Sequence, residues 1–193
     1  MSKGAIYKYR DYIDTSNITI NRSDLFRYFL SVPYRNTNNR KSVLVIMKNP
    51  SKADDKVSDH SINNVLKFCK NEYCKVHIMN LFPYYSTDPK GVRKFINSVN
   101  FNEIIQKNMS VLTCLLEGVD DVIVAWGGNS IENKCEYDKA TESVLDAIKR
   151  SNKKAYAVRI KSSSVNRKYP WHAQVWAVNH QLEKYEWNTS LTV

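Results

Sequence analysis

Four short runs of branched apolar residues, separated by segments of helical periodicity, constrain this chain more than any other feature. The first run is Val43-Leu44-Val45-Ile46-Met47, closed by Asn49-Pro50. Proline biases the residue before it away from the helical region, so the run reads as a buried strand with a turn at its carboxyl end. Ser58 or Asp59 can cap a following helix in which Ile62, Val65, Leu66 and Cys69 recur at helical spacing. Val76 to Asn80 reads as a second strand and Leu81 to Pro89 as a loop. Phe101, Ile104, Ile105, Met109, Leu112, Leu115 and Leu116 then form the apolar stripe of another helix. Val122 to Trp126 is a third strand, turned by Gly127-Gly128 into a helix running from Ser130 to Arg150. Tyr156 to Ile160 is a fourth strand, and a last amphipathic segment covers Val175 to Tyr185.

Strand alternating with helix predicts an α/β fold of three layers, α/β/α, around a mainly parallel four-stranded central sheet with right-handed crossovers. No internal repeat, low-complexity tract or linker interrupts the chain, so residues 1–193 read as a single domain. Residues 1–40 read as an amino-terminal extension packed on it, with Ala5 to Ile13 as an edge strand and Asp24 to Leu30 as a short helix.

Composition narrows the partners. The 29 Lys and Arg against 19 Asp and Glu give a net charge of +10, which favours polyanions. No acid occurs between Asp146 and Glu183, while Lys149, Arg150, Lys153, Lys154, Arg159, Lys161, Arg167 and Lys168 crowd that interval, so one end of the molecule is expected to carry a positive field. No apolar run approaches the roughly 20 residues of a membrane span, and the polar start lacks a secretory core. A cytoplasmic monomer with no membrane contact is the expectation. Cys69, Cys74, Cys114 and Cys135 show no zinc spacing, and no cofactor is expected. Asp54, Asp55, Asp59 and His60 suit a divalent ion by type, but helix capping and a solvated turn explain them more simply, so no metal is expected. Gly127-Gly128-Asn129-Ser130 matches neither a Walker loop nor a dinucleotide fingerprint. An α/β nucleotide-binding or phosphate-handling enzyme using that turn is the reading from a different class.

In parallel sheets ligands sit outside the carboxyl ends of the strands. There the chain carries Asn49-Pro50-Ser51, Asp54-Asp55, Asn80-Leu81-Phe82 and Ala125-Trp126-Gly127, in that order on successive strands. This order resembles the uracil-DNA glycosylase superfamily, through a branch of small bacterial proteins labelled as a domain of unknown function, over roughly Val43 to Trp176. The resemblance implies a glycosylase-like fold and three site positions. Asn49 would orient the attacking water, Asn80 would read the edge of an extruded base, and His172, in Trp171-His172-Ala173-Gln174-Val175-Trp176, would donate to the oxygen that gains charge as the base leaves. Pro50 and Phe82 would help to hold the base. Tyr84 and Tyr85 are further candidates for the stacking ring, because no aromatic residue stands between Asn49 and Phe68.

Departures from that family's pattern shape the expected activity. An Asn side chain cannot take up a proton as a carboxylate does, so Asn49 is a poor general base. Ser51 and Lys52 occupy the places of a Tyr and a His, and Ala173, Gln174 and Val175 replace the Pro and the wedging Leu after the His, leaving Val175 or Trp176 to wedge. The expectation is a catalytically degenerate glycosylase-like protein. Its basic cleft, with Lys52, Lys161, Arg167, Lys168, Gln174 and Val175, would bind DNA or an acidic, DNA-mimicking glycosylase inhibitor protein as a decoy. The alternative is an active glycosylase excising uracil or another altered base.

Overall fold

The computed structural model describes residues 7–129, 131, 133–160 and 169–186. Its strands are β1 (Thr19–Arg22), β2 (Arg27–Pro33), β3 (Ser42–Met47), β4 (Lys75–Asn80), β5 (Asp121–Val124), β6 (Ala155–Arg159) and β7 (Gln181–Lys184). Its α-helices are α1 (His60–Cys69), α2 (Pro89–Ile96), α3 (Phe101–Gly118) and α4 (Lys134–Arg150).

The strands form one seven-stranded mixed sheet in the order β1-β2-β4-β3-β5-β6-β7. This corrects the expected mainly parallel, four-stranded sheet. β3 pairs in parallel with β4 and β5, and β5 with β6. The pairings β1–β2, β2–β4 and β6–β7 are antiparallel. The physical reason is edge closure. A strand left at an edge offers unpaired N–H and C=O groups, and here β2 covers β4 while β7 covers β6.

Local pattern concealed those additions. Phe26, Phe29 and Leu30 stand at helical spacing, yet Asp24 to Leu30 is not a helix: residues 27–33 are β2, buried along most of their length. β7 contains one apolar residue, Leu182, and so has no strand signature. Val175 to Tyr185 divides into a 3-10 turn, Ala173–Val175, and β7. Within Ala5 to Ile13 the described residues make only isolated bridges, Tyr7 to Ser58 and Ile13 to Tyr34. α2 falls between the loop read as Leu81 to Pro89 and the helix read from Phe101, a stretch without an assigned element; Asp88 caps it by accepting from Lys90 N–H.

The sheet separates two apolar layers. Period-two alternation sends Val43, Val45 and Met47 of β3 to one face, where they pack with Ile62, Val65, Leu66 and Cys69 of α1. Leu44 and Ile46 point to the other face, against Leu112 and Leu116 of α3 and Val144 and Ile148 of α4. α1 begins where Asp59 accepts from Ile62 N–H at 2.9 Å, a cap worth about 1 kcal/mol. No helix among the described residues is long and apolar enough to cross a membrane.

Candidate functional site

The carboxyl ends of β3 and β4 are stapled together beyond the regular ladder. Leu81 N–H donates to the Met47 carbonyl and Phe82 N–H to that of Lys48, at 2.8 and 2.9 Å. The loops continue the connection: Ser86 N–H donates to the Pro50 carbonyl at 2.9 Å, and Asn49 Nδ2 donates to the Ser86 carbonyl at 2.6 Å. The Asn49 amide also reaches the Pro50 carbonyl at 3.1 Å. A cavity of about 320 Å³ opens beside these loops, lined by Arg27, Asn49, Lys52, Asp59, His172 and Gln174 among others.

His172 caps the 3-10 turn, its Nδ1 accepting from Gln174 N–H at 3.1 Å. A neutral imidazole that accepts at Nδ1 carries its hydrogen on Nε2. Burial pushes the imidazole down to about 4, the Lys48 ammonium adds repulsion and Asp59 opposes both, so His172 is neutral at pH 7. The turn is clamped by Asn64, whose Nδ2 donates to the Gln174 and Ala173 carbonyls at 2.9 and 3.2 Å. Trp176 is buried, with its ring centroid 5.2 Å from that of Phe68. Trp176 is therefore an anchor rather than a wedge. Val175, 48% exposed, is the apolar side chain that the turn presents outward.

Gly127 makes this placement possible. Its φ of +71° is left-handed, and a Cβ there would stand 2.9 Å from His172 Cβ. Gly127→Ala is expected to lower stability by about 1–3 kcal/mol through backbone strain and the displaced His172. Thermal unfolding and the His172 imidazole resonances are the readouts.

Asn80 is placed differently from expectation. It is 1% exposed and stands behind Arg27, outside the cavity wall, with Oδ1 accepting from Arg27 Nη2 at 3.1 Å and Nδ2 without a partner. Its carbonyl accepts from Asn108 Nδ2 at 2.9 Å. Pro50 is buried. Phe82 is a correction: fully buried, with its ring 6.3 Å from that of Tyr137, it belongs to the core and cannot stack on a ligand. Tyr84 is engaged in the same way, its ring parallel to Phe95 at 5.4 Å.

The described start of the basic interval lies away from the cavity. Lys149 and Arg150 end α4, and Lys153 Nζ donates to the carbonyl of Val119, just before β5, so this group sits at the amino ends of the strands, opposite the cavity. Lys161, Arg167 and Lys168 lie outside the described residues. At the cavity the cations are Arg27 and Lys52. Nearby, Lys48 Nζ donates to the Gly128 carbonyl at 2.6 Å and lies 5.7 Å from the Tyr137 ring centre, and burial pulls the ammonium down to about 8.

Arg27, Tyr7, Ser61, Ser86 and Thr87 of the cavity went unrecognised in the sequence. Arg27 is an isolated charge within Leu25 to Leu30, and a cation inside an apolar run is a usable sign of a buried, functional group. Tyr7 reaches the cavity through backbone hydrogen bonds in both directions with Ser58, a long-range contact with no local signal. The acidic residues Asp54, Asp55 and Asp59 serve the turn and the helix cap: Asp54 accepts from Lys56 and Val57 N–H, and Arg22 pairs with Asp54 and Asp55 at 3.2 Å. Among the described residues, no three His, Cys, Asp or Glu side chains come together as metal ligands.

Comparison with curated proteins and with solved structures gives no match. A family model described as "Protein of unknown function (DUF1643)" matches residues 27–172, a span that starts at Arg27, ends at His172 and contains Asn49 and Asn80. The chain belongs to the DUF1643 family.

Proposed function

We propose that this protein is a glycosylase-like binder with attenuated chemistry, whose cavity and adjoining Gln174-Val175 turn engage DNA or an acidic protein that imitates DNA. The observation that carries this reading is the convergence of Asn49 and His172, distant in the chain, on one cavity at the carboxyl ends of parallel strands. The exposed Val175 on a clamped turn suits insertion beside a base or into a partner surface.

Attenuation follows from the surroundings of each group. Asn49 carries no carboxylate, and its Nδ2 is engaged by two carbonyls. Asp59, an acid on the wall, has both carboxylate oxygens engaged, by Ile62 N–H and by Ser51 Oγ. Asn80 offers a base neither access nor its acceptor, because Arg27 holds Oδ1. Calorimetry with single-stranded DNA, duplex DNA and an acidic glycosylase inhibitor is expected to show binding that weakens with salt, by about 0.9 in log–log slope for each duplex phosphate contact. Absence of binding to all three would discard the proposal.

One observation favours residual base excision. A neutral His172 with hydrogen on Nε2 is the form that donates to a developing oxyanion. If uracil-containing strands are cleaved by alkali after incubation, His172→Ala is expected to slow the reaction by roughly 10²–10³. Cleavage no greater than that of an Asn49→Ala, His172→Ala double variant would leave binding alone.

A further inference from the structure

Arg27 holds a charge where charge is costly. Its side chain is 1% exposed; Nη1 donates to the Ala53 carbonyl at 2.8 Å and Nη2 to Asn80 Oδ1 at 3.1 Å, while Nε–H has no acceptor. Among the described residues no carboxylate pairs with it. Asp59 and Asp54 attract it only from a distance, and burial lowers the guanidinium pKa from its ordinary value. Arginine nonetheless remains protonated. Taking such an ion out of water is costly unless a counter-charge meets it, and the described residues supply none in contact.

Asn80 Nδ2, beyond Arg27 and off the cavity wall, is also buried without a partner. α1 starts on the cavity wall, where Asp59, His60, Ser61 and Ile62 all contribute. The Asp59 carboxylate takes up Ile62 N–H, leaving the His60 and Ser61 N–H groups in the first turn, where the helix dipole favours an anion.

We propose that the cavity binds a phosphate-type oxyanion, for which Arg27 is the buried counter-charge. Donors approach from separate elements: Arg27 from β2, the first turn of α1, and the Thr87 hydroxyl from the loop after β4. A tetrahedral oxyanion accepts from several sides at once, whereas a planar carboxylate is matched by a single arginine fork. Lys52 adds positive charge to the wall, and the Asp59 oxygens are turned to Ser51 Oγ and Ile62 N–H. This inference requires no base-excision chemistry and no DNA.

The test uses the wild-type protein with inorganic phosphate against chloride at equal ionic strength, and a nucleoside 5′-monophosphate against its nucleoside. Phosphate is expected to raise Tm with the logarithm of its concentration, by roughly 5–10 °C at a hundredfold excess over Kd, and to shift the Arg27 Nε–H resonance saturably. R27Q is expected to weaken phosphate binding by roughly tenfold or more. If R27Q does not fold, Thr87→Val, which removes the wall hydroxyl and is expected to cost a few fold, and the wild-type Nε resonance carry the test. A monophosphate that binds more tightly than inorganic phosphate identifies a phosphoester as the ligand, and equal binding identifies the free anion. Equal effects of phosphate and chloride with an unmoved Nε resonance, or binding of nucleoside and monophosphate alike, would overturn the inference. Phosphate binding without binding of DNA or inhibitor would retain it while removing the preceding proposal.

Discussion

Phe82→Ala is expected to lower the free energy of unfolding by about 3–5 kcal/mol, a large share of the 5–15 kcal/mol typical of a domain. The ring is fully buried beside Tyr137 and packs in the layer that contains Leu44, Ile46 and Trp126. Removing it deletes apolar contacts and leaves a cavity that close-packed neighbours refill only in part. Phe82→Leu, which keeps most of the volume, is expected to cost less than half as much. Denaturant unfolding of the two variants gives the comparison. A Phe82→Ala protein as stable as wild type but weaker in ligand binding would return this residue to the cavity and contradict its place in the core.

Acid is expected to destabilise the protein in a window set by two histidines. Burial pushes both His172 and His77 down to about 4, with the Lys48 charge adding at His172 and the Lys75 charge at His77. Unfolded histidine titrates near 6.5. Between those values the unfolded chain binds protons that the folded chain refuses, so stability falls as pH falls. It is complete above about 6.5 and is lost progressively down to about 4. For His172 the loss is on the order of 3 kcal/mol, and it is smaller at the more solvent-screened His77. Carboxylates act lower: despite burial, which raises it, the Asp54 carboxyl is held low by Lys56 and Val57 N–H and by Arg22. Asp54 therefore adds its loss only below about 3.9. His172→Asn keeps an acceptor for Gln174 N–H and is expected to flatten more than half of the fall between pH 6.5 and 4. Unfolding free energies measured across that range decide it, and an unchanged slope in His172→Asn would contradict a buried, neutral imidazole.

Legibility differed sharply along the chain. β3 and α1 were readable because each buries a face whose periodicity is local: alternate residues of Val43 to Met47 go to opposite layers, and Ile62, Val65, Leu66 and Cys69 fall on one helical stripe. The ends of the sheet were not. β2 imitates a helix through Phe26, Phe29 and Leu30, and β7 has too few apolar residues to register, because an edge strand is selected by the open hydrogen-bonding groups of its neighbour.

The site shows the same division. Asn49 at a strand end and His172 before a turn were recoverable from residue type and order, since strand ends in a parallel sheet emerge on one side. Arg27, Tyr7 and the burial of Asn80 were not, nor was the separation of the Lys149 to Lys153 group from the cavity. Helical and strand periodicities are set by neighbours within a few residues, so a linear string of side chains carries them. Which cation meets which cavity depends on strand order and on contacts such as Arg27 with Asn80, and those exist only after distant segments have packed.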